Sequence, residues 1–148
     1  MLLRDRIELI RAGRDPLLIA RLPSGFWVLS EVQHFPGASM LLADPVVPHF
    51  NALHERARVQ WALDLGKIGD VMMSSLGAVR INYETWGNLD PALHTHITPR
   101  FDNEDEATRT LQPRFAFDYA KPPPFDPLSA ETIALIRKLS QKFSHPLV

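Results

Sequence analysis

One long amphipathic segment, residues 54–75, limits the folds open to this chain. Its apolar residues recur at spacings of four, three and four, which an α-helix places on one side. These residues are Trp61, Leu65, Ile68 and Met72. Gly66 and Gly69 each weaken the helix by roughly 1 kcal/mol relative to alanine, and we expect them to permit close packing on a sheet. The segment therefore predicts a long helix that packs against the rest of the fold through one side.

Short apolar runs before and after this helix are typical of β-strands. The first two runs are joined by Pro23-Ser24-Gly25, where proline sets the turn and glycine commonly follows, so we expect a hairpin. Strands grouped around one long helix, without regular βαβ alternation, predict an α+β fold with a five-stranded antiparallel sheet. The expected strands are residues 17–22, 26–30, 38–43, 78–85 and 92–98, and a first helix is expected at residues 2–12.

The amino-acid composition limits the kinds of partner that this chain is expected to bind. The 148 residues are 45% hydrophobic and 22% charged with a formal net charge of −1, as in an ordinary globular protein. Basic residues are scattered among nearly equal numbers of acids, so we expect no nucleic-acid partner. The absence of cysteine excludes disulfides and thiolate chemistry. Charges interrupt the first apolar segment and no run reaches membrane-spanning length, so the cytoplasm is the expected compartment and no membrane partner is expected.

The sequence changes character beyond Phe101. An acidic stretch at residues 102–107 precedes residues 121–127, KPPPFDP, in which consecutive prolines preclude a helix or a central strand. A last helix is expected to open at Asp126-Pro127, and it would carry an apolar stripe. The stripe consists of Ile133, Ile136, Leu139 and Phe143. We expect residues 1–104 to form one domain, and residues 105–148 to pack as a proline-rich arm and helix on that domain or on a dimer partner.

Two histidines, His94 and His96, lie two residues apart in the last predicted strand. Alternate side chains of a strand share a face, so both imidazoles should point one way and Thr95 the other. Imidazole titrates near neutral pH, which suits it to act as a nucleophile, a proton carrier or a metal ligand. One alternative is therefore a zinc site, and another is a pair of ordinary strand histidines. A third zinc ligand would come from His34, His49 or His54.

Residues 87–101, GNLDPALHTHITPRF, resemble the signature of the histidine triad (HIT) superfamily of nucleotide hydrolases and transferases. That signature is His-φ-His-φ-His-φ-φ, where φ is apolar, after a turn with glycine and asparagine or glutamine. His94 and His96 match its second and third histidines, and Ala92 stands at the first. Similarity continues upstream through residues 35–42 and 80–88, so the resemblance covers about residues 15–101.

The resemblance implies a HIT fold and a two-step reaction at the α-phosphate of a dinucleoside polyphosphate or related nucleotide. His94 would attack the phosphorus and form a covalent nucleotidyl-histidine intermediate, which water or another acceptor then resolves. His96 would hydrogen-bond a phosphoryl oxygen or assist the leaving group. Asn82 and Asn88 match positions that hold phosphate or ribose, and Arg100 is a further candidate for substrate binding. The resemblance also implies a homodimer that holds neither a metal nor another cofactor.

Ala92 keeps other functions open. If the replaced histidine braces the nucleophile, its loss would leave binding intact while turnover falls. The alternative is then a catalytically weak HIT-fold protein that binds a nucleotide. A third hypothesis is a small metal-binding protein that uses His94 and His96 as ligands.

Overall fold

The computed structural model describes residues 1–143 and contains a five-stranded antiparallel sheet. The strands are β1 (Leu18–Leu22), β2 (Gly25–Leu29), β3 (Ser39–Ala43), β4 (Arg80–Glu84) and β5 (His94–Arg100), in the order β1-β2-β3-β5-β4. The helices are α1 (Leu3–Arg11), α2 (Glu55–Leu76), α3 (Glu106–Arg109), α4 (Pro113–Ala116) and α5 (Ala130–Ser140), with a 3-10 turn at Phe50–Ala52. The predicted α+β fold with a five-stranded antiparallel sheet and one long helix is confirmed.

The main core lies between one face of the sheet and helix α2. The predicted stripe packs here, with Trp61, Ile68 and Met72 buried among side chains of β2, β3 and β5. Burying an apolar side chain of this size contributes about 1.5–3 kcal/mol. Leu139 of α5 is fully buried in the same core, so the C-terminal helix packs on this domain. No helix within residues 1–143 is long and apolar enough to cross a membrane.

Gly69 allows α2 to approach β4 closely, as the sequence led us to expect. A Cβ atom at Gly69 would lie 2.1 Å from the hydroxyl oxygen of Tyr83. That hydroxyl donates to the carbonyl of Leu65 at 3.2 Å. A Cβ atom at Gly66 would meet nothing within 4 Å, so only Gly69 is needed for the contact. The long helix is thereby held against the outermost strand of the sheet.

The opposite face of the sheet carries α1 and the two histidines. Ile7 and Ile10 of α1 pack against Phe26, Val28 and Leu42, which form a second apolar cluster over β2 and β3. His94 is the register partner of Leu42 in the neighbouring strand β3. The histidines therefore lie beside the part of the sheet that α1 covers.

The C-terminal region differs from the prediction in its helices. Helix α5 begins at Ala130 instead of Pro127, because the Ser129 hydroxyl accepts a hydrogen bond from the backbone N–H of Thr132 at 3.2 Å and caps the helix. The short helices α3 and α4 were not predicted. Residues 121–127 contain neither helix nor strand, as their prolines led us to expect. The last five residues of the predicted arm, 144–148, lie outside the described residues.

Candidate functional site

His94 and His96 project from the same face of β5, as alternation along a strand predicts. Their ring centroids are 5.0 Å apart, with an angle of 78° between the ring planes. The intervening Thr95 is buried toward the other face, with 1% of its surface exposed. His96 pairs with Met40 of β3 on one side and with Glu84 of β4 on the other. The two imidazoles therefore meet edge to face on an inner strand of the sheet.

A backbone carbonyl orients the imidazole of His94. Its Nδ1 lies 2.7 Å from the carbonyl oxygen of Ala92, and both residues are buried. Because a carbonyl can only accept, Nδ1 carries the proton and donates it. In the neutral imidazole, Nε2 is then the unprotonated nitrogen, and its lone pair can attack an electrophile. A histidine nucleophile needs a fixed hydrogen-bond acceptor at its other ring nitrogen. Here the main chain of Ala92, the residue at the first histidine position of the motif, supplies that acceptor.

The surroundings of His96 favour its uncharged imidazole. Burial is the main cause that lowers its pKa from 6.5 to about 4, and the neighbouring His94 lowers it further. Desolvation disfavours the charged imidazolium, and a second positive charge beside it would be repelled. A neutral His96 has a single ring N–H to donate. It can therefore stabilise a phosphoryl oxygen by a hydrogen bond without bringing a full charge to the site.

We expect His96 to make the protein less stable as pH falls from 6.5 toward about 4. The folded pKa lies below the unfolded value, so the unfolded chain takes up this proton first, and the stability present above pH 6.5 is lost in that window. Urea unfolding of the wild type and of His96→Gln, from about pH 4 to about pH 8, measures the effect. The variant should lose part of the pH slope. An identical slope, or an imidazole C2–H resonance that titrates near 6.5 in the folded protein, would contradict the assignment.

His94 lines a cleft of about 330 Å³ at one end of the sheet. One side of the cleft is formed by the loop after β3, which contributes His49 and Phe50. The other side is formed by Thr85 and Trp86, which follow β4. The backbone N–H of Leu93 donates to the carbonyl of Val47 at 2.7 Å, which ties the first loop to the start of β5. The cleft thus joins segments that are far apart in the sequence.

The two predicted asparagines lie in different surroundings. Asn82 of β4 is the register partner of Thr98 in β5, two residues beyond His96, and it faces the histidine side of the sheet. Its Oδ1 accepts a hydrogen bond from Arg100 at 2.9 Å. Asn88 is exposed in the loop after β4 and follows Gly87, whose positive φ of 76° turns the chain at the edge of the cleft. Asn82 therefore borders the histidine face, whereas Asn88 is a loop residue that follows Gly87 of the cleft.

Arg100 anchors the segment that follows β5. Its guanidinium forms a buried ion pair with Glu104 at 2.8 Å and also donates to Asn82 and to backbone carbonyls. The acceptor carbonyls are those of Thr108, Arg109 and Leu111. All five N–H donors are used in this way, so none is left for the phosphate that Arg100 was predicted to bind. The structure places Arg100 instead as the residue that ties α3 and the chain after it to the sheet.

Residues of the C-terminal segment also reach the histidine face, which the sequence did not predict. Phe117 stacks on His34, with ring centroids 4.8 Å apart, and Tyr119 meets the same imidazole edge to face at 5.0 Å. The Nε2 atom of His34, which the sequence offered only as a possible zinc ligand, is buried. Burial and the nearby carboxylate of Glu84 raise the pKa of Tyr119. The arm therefore packs beside Glu84, the β4 residue that pairs with His96.

The three histidines proposed as a third zinc ligand lie in different surroundings. Within residues 1–143, no three side chains of the histidine, cysteine, aspartate and glutamate types are grouped so that they could hold a metal ion. His54 caps helix α2, because its Nδ1 accepts from the backbone N–H of Ala57 at 3.2 Å. His34 is engaged by the aromatic rings of the arm, and His49 lines the cleft with His94.

Solved structures with the same arrangement of strands and helices are histidine triad proteins. A histidine triad protein from Bradyrhizobium japonicum superposes with a TM-score of 0.70 at 21% identity, covering 89% of this chain and 93% of that one. A HIT protein from Sinorhizobium meliloti gives 0.69 at 19% identity over 89% and 93%. A hypothetical histidine triad nucleotide-binding protein from Sulfolobus tokodaii gives 0.68 at 14% identity over 92% and 88%.

The chain therefore has the HIT fold, as the resemblance implied. No family model matches its sequence, and no curated protein matches it significantly. At these identities the likeness to solved structures defines the fold, while function has to be argued from the site itself.

Proposed function

We propose that this protein is a cytoplasmic nucleotide hydrolase or nucleotidyl transferase that works through a nucleotidyl-His94 intermediate. The observation that carries the proposal is the 2.7 Å contact between His94 Nδ1 and the Ala92 carbonyl, on a strand of a HIT fold. This contact selects the tautomer in which Nε2 is the nucleophile. The cleft that His94 lines gives a substrate access to this residue.

The reaction consists of two displacements. In the first, His94 Nε2 attacks the α-phosphorus of a dinucleoside polyphosphate or related nucleotide, the P–N bond forms, and the P–O bond to the leaving group breaks. In the second, a water oxygen attacks the same phosphorus, the P–N bond breaks, and free His94 and the nucleotide are released. Splitting one difficult displacement in two is the benefit of covalent catalysis. No step needs a metal held by the protein.

His96 and the two asparagines hold the phosphate in this scheme. The N–H of neutral His96 donates to a non-bridging phosphoryl oxygen, where negative charge develops. Asn82 Oδ1 accepts a hydrogen bond from Arg100, so the N–H groups on Nδ2 of Asn82 can donate to ligand oxygens. Asn88 contributes from the exposed loop after β4. Arg100 thus acts through Asn82 and is a positioning residue.

A HIT-fold protein that binds nucleotides but turns them over weakly is the second candidate, and Ala92 is the observation that favours it. Its methyl group is buried at the position of the first triad histidine. A screen of nucleoside polyphosphates and nucleoside phosphoramidates by thermal shift and by product release separates the two. Stabilisation with product release supports the enzyme, and stabilisation without it supports the binding protein. Stoichiometric zinc in elemental analysis would favour the metal-binding hypothesis instead.

We expect the protein to form a homodimer through α2 and the edge strand β4. Exposed apolar side chains on these elements form a surface that a second copy would cover. They are Val59, Leu63 and Met73 of α2 and Tyr83 of β4, together with Val79 just before β4. Sedimentation should therefore give about twice the 16.8 kDa mass of one chain. Leu63→Asp should weaken the dimer, whereas Leu128→Asp, which changes an equally exposed leucine of the arm, should not. A 16.8 kDa species at micromolar concentration would contradict the prediction.

A further inference from the structure

We propose that the cleft beside His94 is the subsite for the leaving group, and that it selects leaving groups that carry both an aromatic ring and a negative charge. This inference rests on the proposed function, because a leaving group is defined only by that reaction. It goes further by assigning the group to Phe50, Trp86 and Arg114. It also gives a role to the C-terminal segment, which supplies Arg114 from helix α4.

Two large rings line the cleft and stay open to solvent. Trp86, in the loop after β4, is 58% exposed, and Phe50, in the 3-10 turn, is 39% exposed. The other two tryptophans of the chain are buried in the described structure, at 2% exposure or less. Exposed aromatic faces in a concave site are what a planar ligand stacks on. The cleft is therefore built for a ring.

An arginine lies over each ring, outside the set of residues that line the cleft. The guanidinium of Arg114 lies 5.5 Å from the centroid of Trp86, and that of Arg58 lies 5.8 Å from the centroid of Phe50. Arg58 is held by the backbone carbonyls of Asn51 and Leu53. Neither guanidinium forms an ion pair with a carboxylate in the described part of the chain. Their charges are thus available to an anion that enters beside the rings.

The position of the cleft relative to His94 connects these features to the reaction. In a phosphoryl displacement the attacking and leaving atoms are roughly in line, so the leaving group occupies the space that the imidazole faces. His94 and the two rings line the same cleft of about 330 Å³. That volume is at the lower end of ordinary ligand pockets. It suits one ring with its phosphate, such as a nucleoside phosphate leaving group.

The first test measures binding without turnover. Phenyl phosphate is titrated into the His94→Ala protein while tryptophan fluorescence is recorded, with inorganic phosphate and benzylamine as the probes that lack the ring or the negative charge. Phenyl phosphate should quench the exposed Trp86, and Trp86→Phe should remove the signal. Arg114→Gln should weaken this binding about tenfold. Arg137→Gln, which changes an exposed arginine of α5, is the matched control and should not weaken it.

The second test uses the intact enzyme and compares kcat/KM for two substrate types. A dinucleoside polyphosphate has a leaving group with ring and charge, and a nucleoside phosphoramidate of an alkyl amine has neither. Arg114→Gln and Trp86→Ala should reduce kcat/KM for the first substrate about tenfold more than for the second.

Equal reductions for both substrates, or no quenching by phenyl phosphate, would overturn the subsite. Quenching in a protein without turnover would show that the cleft binds a charged ring, while the proposed reaction fails and the leaving-group role fails with it, so the two failures are distinguishable. Normal turnover with equal reductions would leave the reaction standing and remove the subsite.

Discussion

Replacing His94 with alanine is expected to abolish turnover while substrate binding persists. The variant removes the nucleophile, but Asn82, Asn88 and His96 remain to hold phosphate. Losing a covalent route commonly raises the barrier on the order of 5 kcal/mol or more, a rate loss of several powers of ten. His96→Ala should cost less, roughly 3 kcal/mol, because it withdraws a stabilising donor and leaves the attacking atom in place.

A trapping experiment tests directly whether His94 is the nucleophile. Wild-type protein is quenched during reaction with an α-labelled nucleotide, and acid-labile label should appear on a peptide containing residues 93–97. Label that persists in His94→Ala, or near-normal turnover of that variant, would contradict the mechanism. Ala92→His is the companion variant, because it restores the imidazole at the first position of the motif. Activity that appears only in Ala92→His would favour the nucleotide-binding protein over the enzyme.

Replacing Arg100 with alanine is expected to destabilise the fold by about 3–5 kcal/mol, which is typical of removing one partner of a buried ion pair. The variant would leave the carboxylate of Glu104, only 10% exposed, without its cation. It would also leave the carbonyls of Thr108 and Leu111 without the N–H donors that two different nitrogens of the guanidinium now supply. The guanidinium further stacks over the ring of Phe35 at 4.8 Å, and that contact is lost too.

Urea unfolding with Arg137→Ala as the surface control measures the loss, and the control should change stability by less than about 0.5 kcal/mol. Arg100→Lys separates charge from geometry, because lysine keeps the charge but cannot satisfy several planar acceptors at once. It should fall between wild type and Arg100→Ala. Hydrogen exchange should become faster in residues 105–117 if the arm detaches. An Arg100→Ala protein as stable as the surface control would refute the anchoring role.

Local periodicity along the chain determined the long helix and the strands of this fold. The stripe of Trp61, Ile68 and Met72 predicted the buried side of α2, because a helix returns to the same face every three to four residues. Alternation along β5 placed His94 and His96 on one face and Thr95 on the other, because a strand has a period of two. Such patterns depend only on neighbours in sequence, so they can be read without knowing the rest of the molecule.

Contacts between distant segments decided the rest, and no local pattern encodes them. Arg100 has the type and position of a phosphate ligand, but its donors are taken by Glu104 and by carbonyls that the following turns bring back to it. The cleft combines Phe50, Trp86 and His94 from three separate segments, and Arg114 of a fourth segment lies over the ring of Trp86. The motif alone therefore identified His94 as the nucleophile candidate. Only the packing of the loops and the arm determined which side chains surround it, because that packing depends on contacts across the whole sheet.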